Sequence, residues 1–177
     1  KFVKKNKIQK WLILAHCFNM DGRAASQTIT DKIPFMIKKG ITPIVISAPS
    51  GLKDNRFQHY RIFSVAPSGL NFEFRKVVER KFAAGWQRNT VKGLITLCLL
   101  PAYLLEKITI DLDSHWSWFL SAGILGSFIA RKHKPSIVFS TAGPSSTHLT
   151  GYLLKKTADI PWIAEVHDPL VSVDGVD

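Results

Sequence analysis

The sequence predicts an α/β domain of Rossmann-like, three-layer form, with a parallel sheet at its centre. Three observations carry this. Short apolar runs with β-branched content alternate with stretches of helical period, which is the pattern of βαβ units. The runs are apolar almost throughout, as strands buried on both faces must be. Polar clusters stand where strands end, the place where open parallel sheets gather ligands. At 177 residues the chain has the length of one domain with a sizeable core.

Trp11-Leu12-Ile13-Leu14-Ala15-His16-Cys17 is the first strand, and its apolar character makes it central. His16 within it reads as a satisfied core histidine. Residues 18–26 turn the chain with small residues around Asp21, Gly22 and Arg23. Ile29, Ile33, Met36 and Ile37 then mark one helical face, which Pro34 is expected to kink and Gly40 to stop. Pro43-Ile44-Val45-Ile46-Ser47 is the second strand, and Tyr60-Arg61-Ile62-Phe63-Ser64-Val65 the third.

Residues 72–84 predict an amphipathic helix, with Phe74, Val77, Val78 and Phe82 inward and Arg75, Lys76, Arg80 and Lys81 outward. Residues 94–105 are mainly apolar but contain Pro101 and stop at Glu106-Lys107. A membrane span needs about 20 apolar residues, so this is a core or interfacial helix. A basic amphipathic helix beside an apolar one suits an interfacial membrane contact, with core packing as the plain alternative. Asp113 or Ser114 can cap the next helix, whose Trp116, Phe119, Leu120, Ile124 and Phe128 make it apolar nearly all round. That helix is expected to be largely buried.

Residues 134–170 read as strand, turn, helix, strand. Ile137-Val138-Phe139-Ser140 is extended, and residues 141–146 turn the chain at Gly143 and Pro144. Leu149, Tyr152 and Leu153 recur at helical spacing, and Lys155 and Lys156 suit the negative end of the helix dipole. Pro161-Trp162-Ile163-Ala164-Glu165-Val166 restores a strand, with His167-Asp168-Pro169 at its carboxyl end.

Lys and Arg number 24 against 13 Asp and Glu, for a formal net charge of +11. That balance attracts nucleic acid, a membrane surface or phosphorylated substrates. The cations concentrate in residues 1–10 and 75–92, but no helix-turn-helix, zinc-finger or RNA-recognition signature accompanies them. A solvated cationic face is the plain alternative. Cys17 and Cys98 both lie in apolar runs and read as buried hydrophobes of a reducing compartment. No signal peptide is evident, and the start at Lys1 leads us to expect a piece of a longer protein.

Ser140-Thr141, Pro144-Ser145, His148-Leu149, Gly151 and Leu154 form one spaced pattern, and Ile160-Pro161-Trp162-Ile163-Ala164-Glu165 with Asp168-Pro169 forms a second. Together they resemble the N-terminal domain of two-domain (GT-B type) family 4 glycosyltransferases. The resemblance covers most of residues 11–170 and is thinnest between 55 and 109. It implies that residues 1–177 are a single N-terminal domain, one half of a GT-B architecture, with the donor-binding domain beyond Asp177. It implies a retaining enzyme that takes a nucleotide-diphosphate sugar as donor, with no cofactor and no obligatory metal. The acceptor would be a glycan or lipid-linked sugar of cell-surface polysaccharide synthesis, handled in the cytoplasm at the inner face of the plasma membrane and not on nucleic acid.

The same resemblance distributes roles. The loop after the first strand presents its amides to the donor diphosphate, which places that contact at Asp21 and Gly22. Asp21 stands where members often have a second glycine. His167 matches a histidine that lies near the donor sugar, and Asp168 orients that imidazole or caps the following turn. Arg23, Thr141, Ser145, Ser146 and His148 fall at acceptor or phosphate contacts, since exposed amides at a helix start favour an anion. Simple capping by Ser145 or Ser146 is the structural alternative. The Asp113–Trp116 spacing also recurs in the family and is structural.

Other chemistries fit less well. A dinucleotide site wants Gly-x-Gly-x-x-Gly after the first strand, and only Gly22 is there. Gly143-Pro144-Ser145-Ser146 lacks the second glycine of a serine-hydrolase elbow and carries Pro within it. His16, Asp21, His167 and Asp168 lack any familiar metal-ligand spacing. The competing class is a non-catalytic Rossmann-like module that binds an anionic partner or membrane.

Overall fold

The structure is a computed structural model that describes residues 9–110, 112–141 and 143–167. Five strands, β1 (Gln9–Leu14), β2 (Ile41–Ser47), β3 (Gln58–Arg61), β4 (Ile137–Thr141) and β5 (Trp162–Glu165), make one parallel sheet in the order β3-β2-β1-β4-β5. The expected α/β class is what the chain adopts. Side-chain alternation sorts the core into two layers. Leu12, Leu14, Ile44, Ile46 and Val138 point to one face, where α4 (Trp118–His133) and α5 (Ser145–Ala158) cover them with Trp118, Ala122, Ile129 and Leu154. Ile13, Val45 and Phe139 point to the other, against Ile29 and Ile33 of α1 (Ala24–Lys38). β1 is thus buried on both sides, as its unbroken apolar run requires.

The expected stop at Gly40 is present: Gly40 takes φ 82° and its N–H donates to Ile37 O. Pro34 sits inside α1, which continues through it. The third strand ends at Arg61, four residues short of the expected Val65, because Ser64 N–H leaves the sheet and donates to the Glu73 carboxylate. Behind it, α2 (Pro67–Lys81) begins earlier than expected, with Pro67 preset for a first turn.

α3 (Trp86–Thr109) runs 24 residues, through Pro101 and past the expected stop at Glu106-Lys107. Its hold on the domain is polar as well as apolar. The Glu106 carboxylate accepts from Ser68 N–H at 2.9 Å and from Trp116 Nε1 at 2.8 Å, capping the start of α2. Burial would raise this carboxyl, but the Ser68 and Trp116 hydrogen bonds outweigh it and hold the pKa below the ordinary value.

Two expectations fail on burial. α4 is not buried all round: Leu120, Ile124 and Phe128 are exposed, while Trp118, Ala122, Gly123, Gly126 and Ala130 are buried. Small residues are selected on the buried face because α5 packs close; a Cβ on Gly126 would stand 2.9 Å from Leu154. Cys98 is exposed on α3, whereas Cys17 is buried as expected.

Candidate functional site

The strand order reverses between β1 and β4, so the crevice outside their carboxyl ends is where such a sheet binds ligands. A cavity of about 530 Å³ lies there. Its walls come from the start of α1 (Arg23, Ala24, Ala25), the start of α5 (Gly143, Pro144, Ser145) and the end of β5 (His167), with Cys17 and His115 between.

Neither α1 nor α5 has a side-chain cap at its N-terminus. The capping alternative for Ser145 and Ser146 is therefore not what these residues do. Two helices direct N-terminal amides without side-chain caps, and their positive dipole ends, toward one crevice, and Arg23 adds a guanidinium. Gly22, at φ 73°, makes the left-handed turn that sets Arg23 at the mouth.

His167 is held by the strand ends beneath it. Thr141 Oγ1 donates to Glu165 Oε2 at 2.8 Å, so its oxygen accepts from His167 Nε2 at 3.2 Å. Glu165 is paired in turn with Lys32. Burial would raise the Glu165 carboxyl, but Lys32 and Thr141 bind it and hold it below its usual range. Nε2 is thereby turned to Thr141 and Glu165, and Nδ1 is not engaged by either.

The expected site residues separate on this geometry. Arg23, Ser145 and His167 line the crevice together. Thr141 is fully buried and positions His167 rather than facing a ligand. Ser146 is buried, its Oγ without a partner among the described residues. His148 turns back to Ser140 Oγ at 2.9 Å. Asp21 lines a separate depression of about 490 Å³ with Asn19 and Arg56, so the first loop is divided between two surfaces. Asp168 lies outside the described residues.

Beneath the crevice is a buried polar cluster that sequence reading did not assemble. His16 Nε2 meets Glu73 Oε1 at 3.1 Å, and Glu73 also accepts from Ser64 N–H at 2.8 Å and Ser64 Oγ at 2.6 Å. Burial works against charge on His16, but hydrogen bonds to Cys17 and Glu73 outweigh it and raise its pKa to about 9. His16 is the satisfied core histidine expected, with a partner 57 residues away. His115 packs against it, with ring centroids 4.5 Å apart and planes tilted by 48°. Burial, with the charges of His16 and Arg23, lowers the His115 pKa to about 3. The cue for Glu73 was one acid inside the apolar Phe72-Glu73-Phe74 run; Glu165 ending Trp162-Ile163-Ala164 was a similar cue.

Among the described residues no group of His, Cys, Asp or Glu is placed to hold a metal ion. No helix of the described residues is long and apolar enough to cross a membrane. Compared with protein-family models, curated proteins and solved structures, the chain matches none.

Proposed function

We propose that this chain is the acceptor-side domain of a retaining glycosyltransferase that takes a nucleotide-diphosphate sugar. The supporting observation is the switch-point crevice with two helix N-termini that lack side-chain caps, Arg23 and a His167 oriented by Thr141 on its walls. Transfer of a glycosyl group needs charge developing on the departing diphosphate to be met by preorganised donors, and helix amides with a guanidinium are such donors. The α1 start, through Gly22, supplies one wall for that diphosphate. His167 Nδ1 faces the donor sugar, and Ser145 with Arg23 holds the acceptor. A second, nucleotide-binding domain is expected to complete the cleft, because half a cleft cannot bring donor and acceptor together.

A lipid-linked acceptor would bring the domain to a membrane surface. Leu94, Leu97, Leu104, Leu105 and Ile108 are exposed along α3, next to the basic α2. The same helix favours a second reading, a non-catalytic module held on an anionic surface. Transfer of labelled sugar from a panel of nucleotide donors separates the two. The full-length protein should transfer and the 177-residue chain alone should not. Robust transfer by the chain alone, or none by the full-length protein with any donor, contradicts the proposal.

A further inference from the structure

We propose that the open cleft between Arg23, α2 and Tyr103 of α3 is a phosphate subsite, taking the phosphate ester or diphosphate of the acceptor. The inference deepens the acceptor role proposed above and rests on it. The cavity holds about 380 Å³, and Arg23, Phe72, Arg75, Lys76, Glu79 and Tyr103 are among its walls. Three cations face a single carboxylate there. That carboxylate is already engaged: Glu79 accepts from Lys76 at 2.7 Å and Lys92 at 2.6 Å, and these two bonds hold its carboxyl down at about 2.

Arg23 and Arg75 have no carboxylate partner among the described residues. Like charges lining a concave wall repel one another, and the low-dielectric wall focuses their field on any anion that enters. Guanidinium forks match phosphate oxygens two at a time, and Lys76, bonded to Glu79 on one side, adds its charge to the field of the cleft. The Arg23 guanidinium lies 5.8 Å over the Phe72 ring, a cation–π contact that steadies it at the cleft. A phosphate monoester brings three acceptor oxygens and nearly two charges, enough for both arginines; a lone carboxylate brings two oxygens and one charge.

Arg23 and His115 line both this cavity and the switch-point crevice. An acceptor anchored here by its phosphate therefore extends its sugar toward His167. The neutral imidazole of His115 at the junction adds hydrogen-bonding capacity without a further charge.

The test is calorimetric titration of the chain with glucose 1-phosphate and with methyl glucoside, alongside capture on phosphatidylcholine nanodiscs with or without a polyprenyl diphosphate. Wild type, Arg75→Gln and Lys76→Gln are compared, with circular dichroism to confirm that each folds. Glucose 1-phosphate or the polyprenyl-diphosphate discs should bind, methyl glucoside and plain discs at least tenfold more weakly, and Arg75→Gln should lose about tenfold or more, as expected for a charge-assisted bond. Whichever phosphate source binds identifies the acceptor as soluble or lipid-linked. Measurable but equal binding of the two sugars, binding in neither arm, or wild-type affinity in both variants would overturn the subsite. No donor is present in this assay. Phosphate binding in a protein whose full-length form transfers no sugar would therefore sink the transferase reading and leave the phosphate site standing.

Discussion

His16 and Glu73 form a charged pair with no exposed side-chain surface, so neither has water as an alternative partner. Removing one side of such a pair strands the other. Glu73→Gln should therefore cost about 3–5 kcal/mol, more than any surface substitution. The sign of the pH dependence follows from the raised His16 pKa. The folded protein holds the proton to about 9 against an ordinary 6.5, so this stabilisation is complete below pH 6.5 and is lost as pH rises through 9. Urea midpoints measured from pH 6 to 9.5 should fall for the wild type and stay flatter for Glu73→Gln; parallel curves would show that the pair is not ionised. His16 was legible as buried because its neighbours are apolar. Its partner was not, since nothing local in the sequence links positions 57 residues apart.

Elements built on continuous apolar runs were the legible ones, and β1, β2 and β4 lie close to where periodicity places them. α4 was misjudged because composition does not tell which face of an apolar helix is covered; its buried face is the one with Trp118 and glycine, and its larger side chains point out. α3 was misjudged in length, since Pro101 and Glu106-Lys107 end a helix only when nothing else holds them, and Glu106 is held by the start of α2. Its leucines stay outside, and Leu97 and Leu100 share a surface depression with Arg75 and Lys92. Apolar insertion and a screened field together predict binding to anionic vesicles that weakens with salt. Sedimentation with anionic vesicles should carry the chain down at low salt, with neutral vesicles much less, and Leu97→Asp with Leu104→Asp should abolish the difference. Equal sedimentation with both vesicle types, or with neither, would return α3 to some other packing role.

At the scale of the whole molecule, the parallel order β3-β2-β1-β4-β5 brings the start of α1, the start of α5 and the end of β5 to one crevice. The sequence showed these polar clusters after their strands, and could not show that Asp21 would fall into a neighbouring depression or that Thr141 would support His167 from below. The central claim is that sugar transfer occurs at this crevice, with His167 beside the donor. Steady-state transfer by the full-length protein, wild type against His167→Ala, tests it most directly. The loss should appear in kcat and amount to about 10²-fold or more, the scale of removing one preorganised donor from a site of developing charge. A His167→Ala enzyme that transfers sugar at the wild-type rate would contradict the account and leave His167 a structural residue.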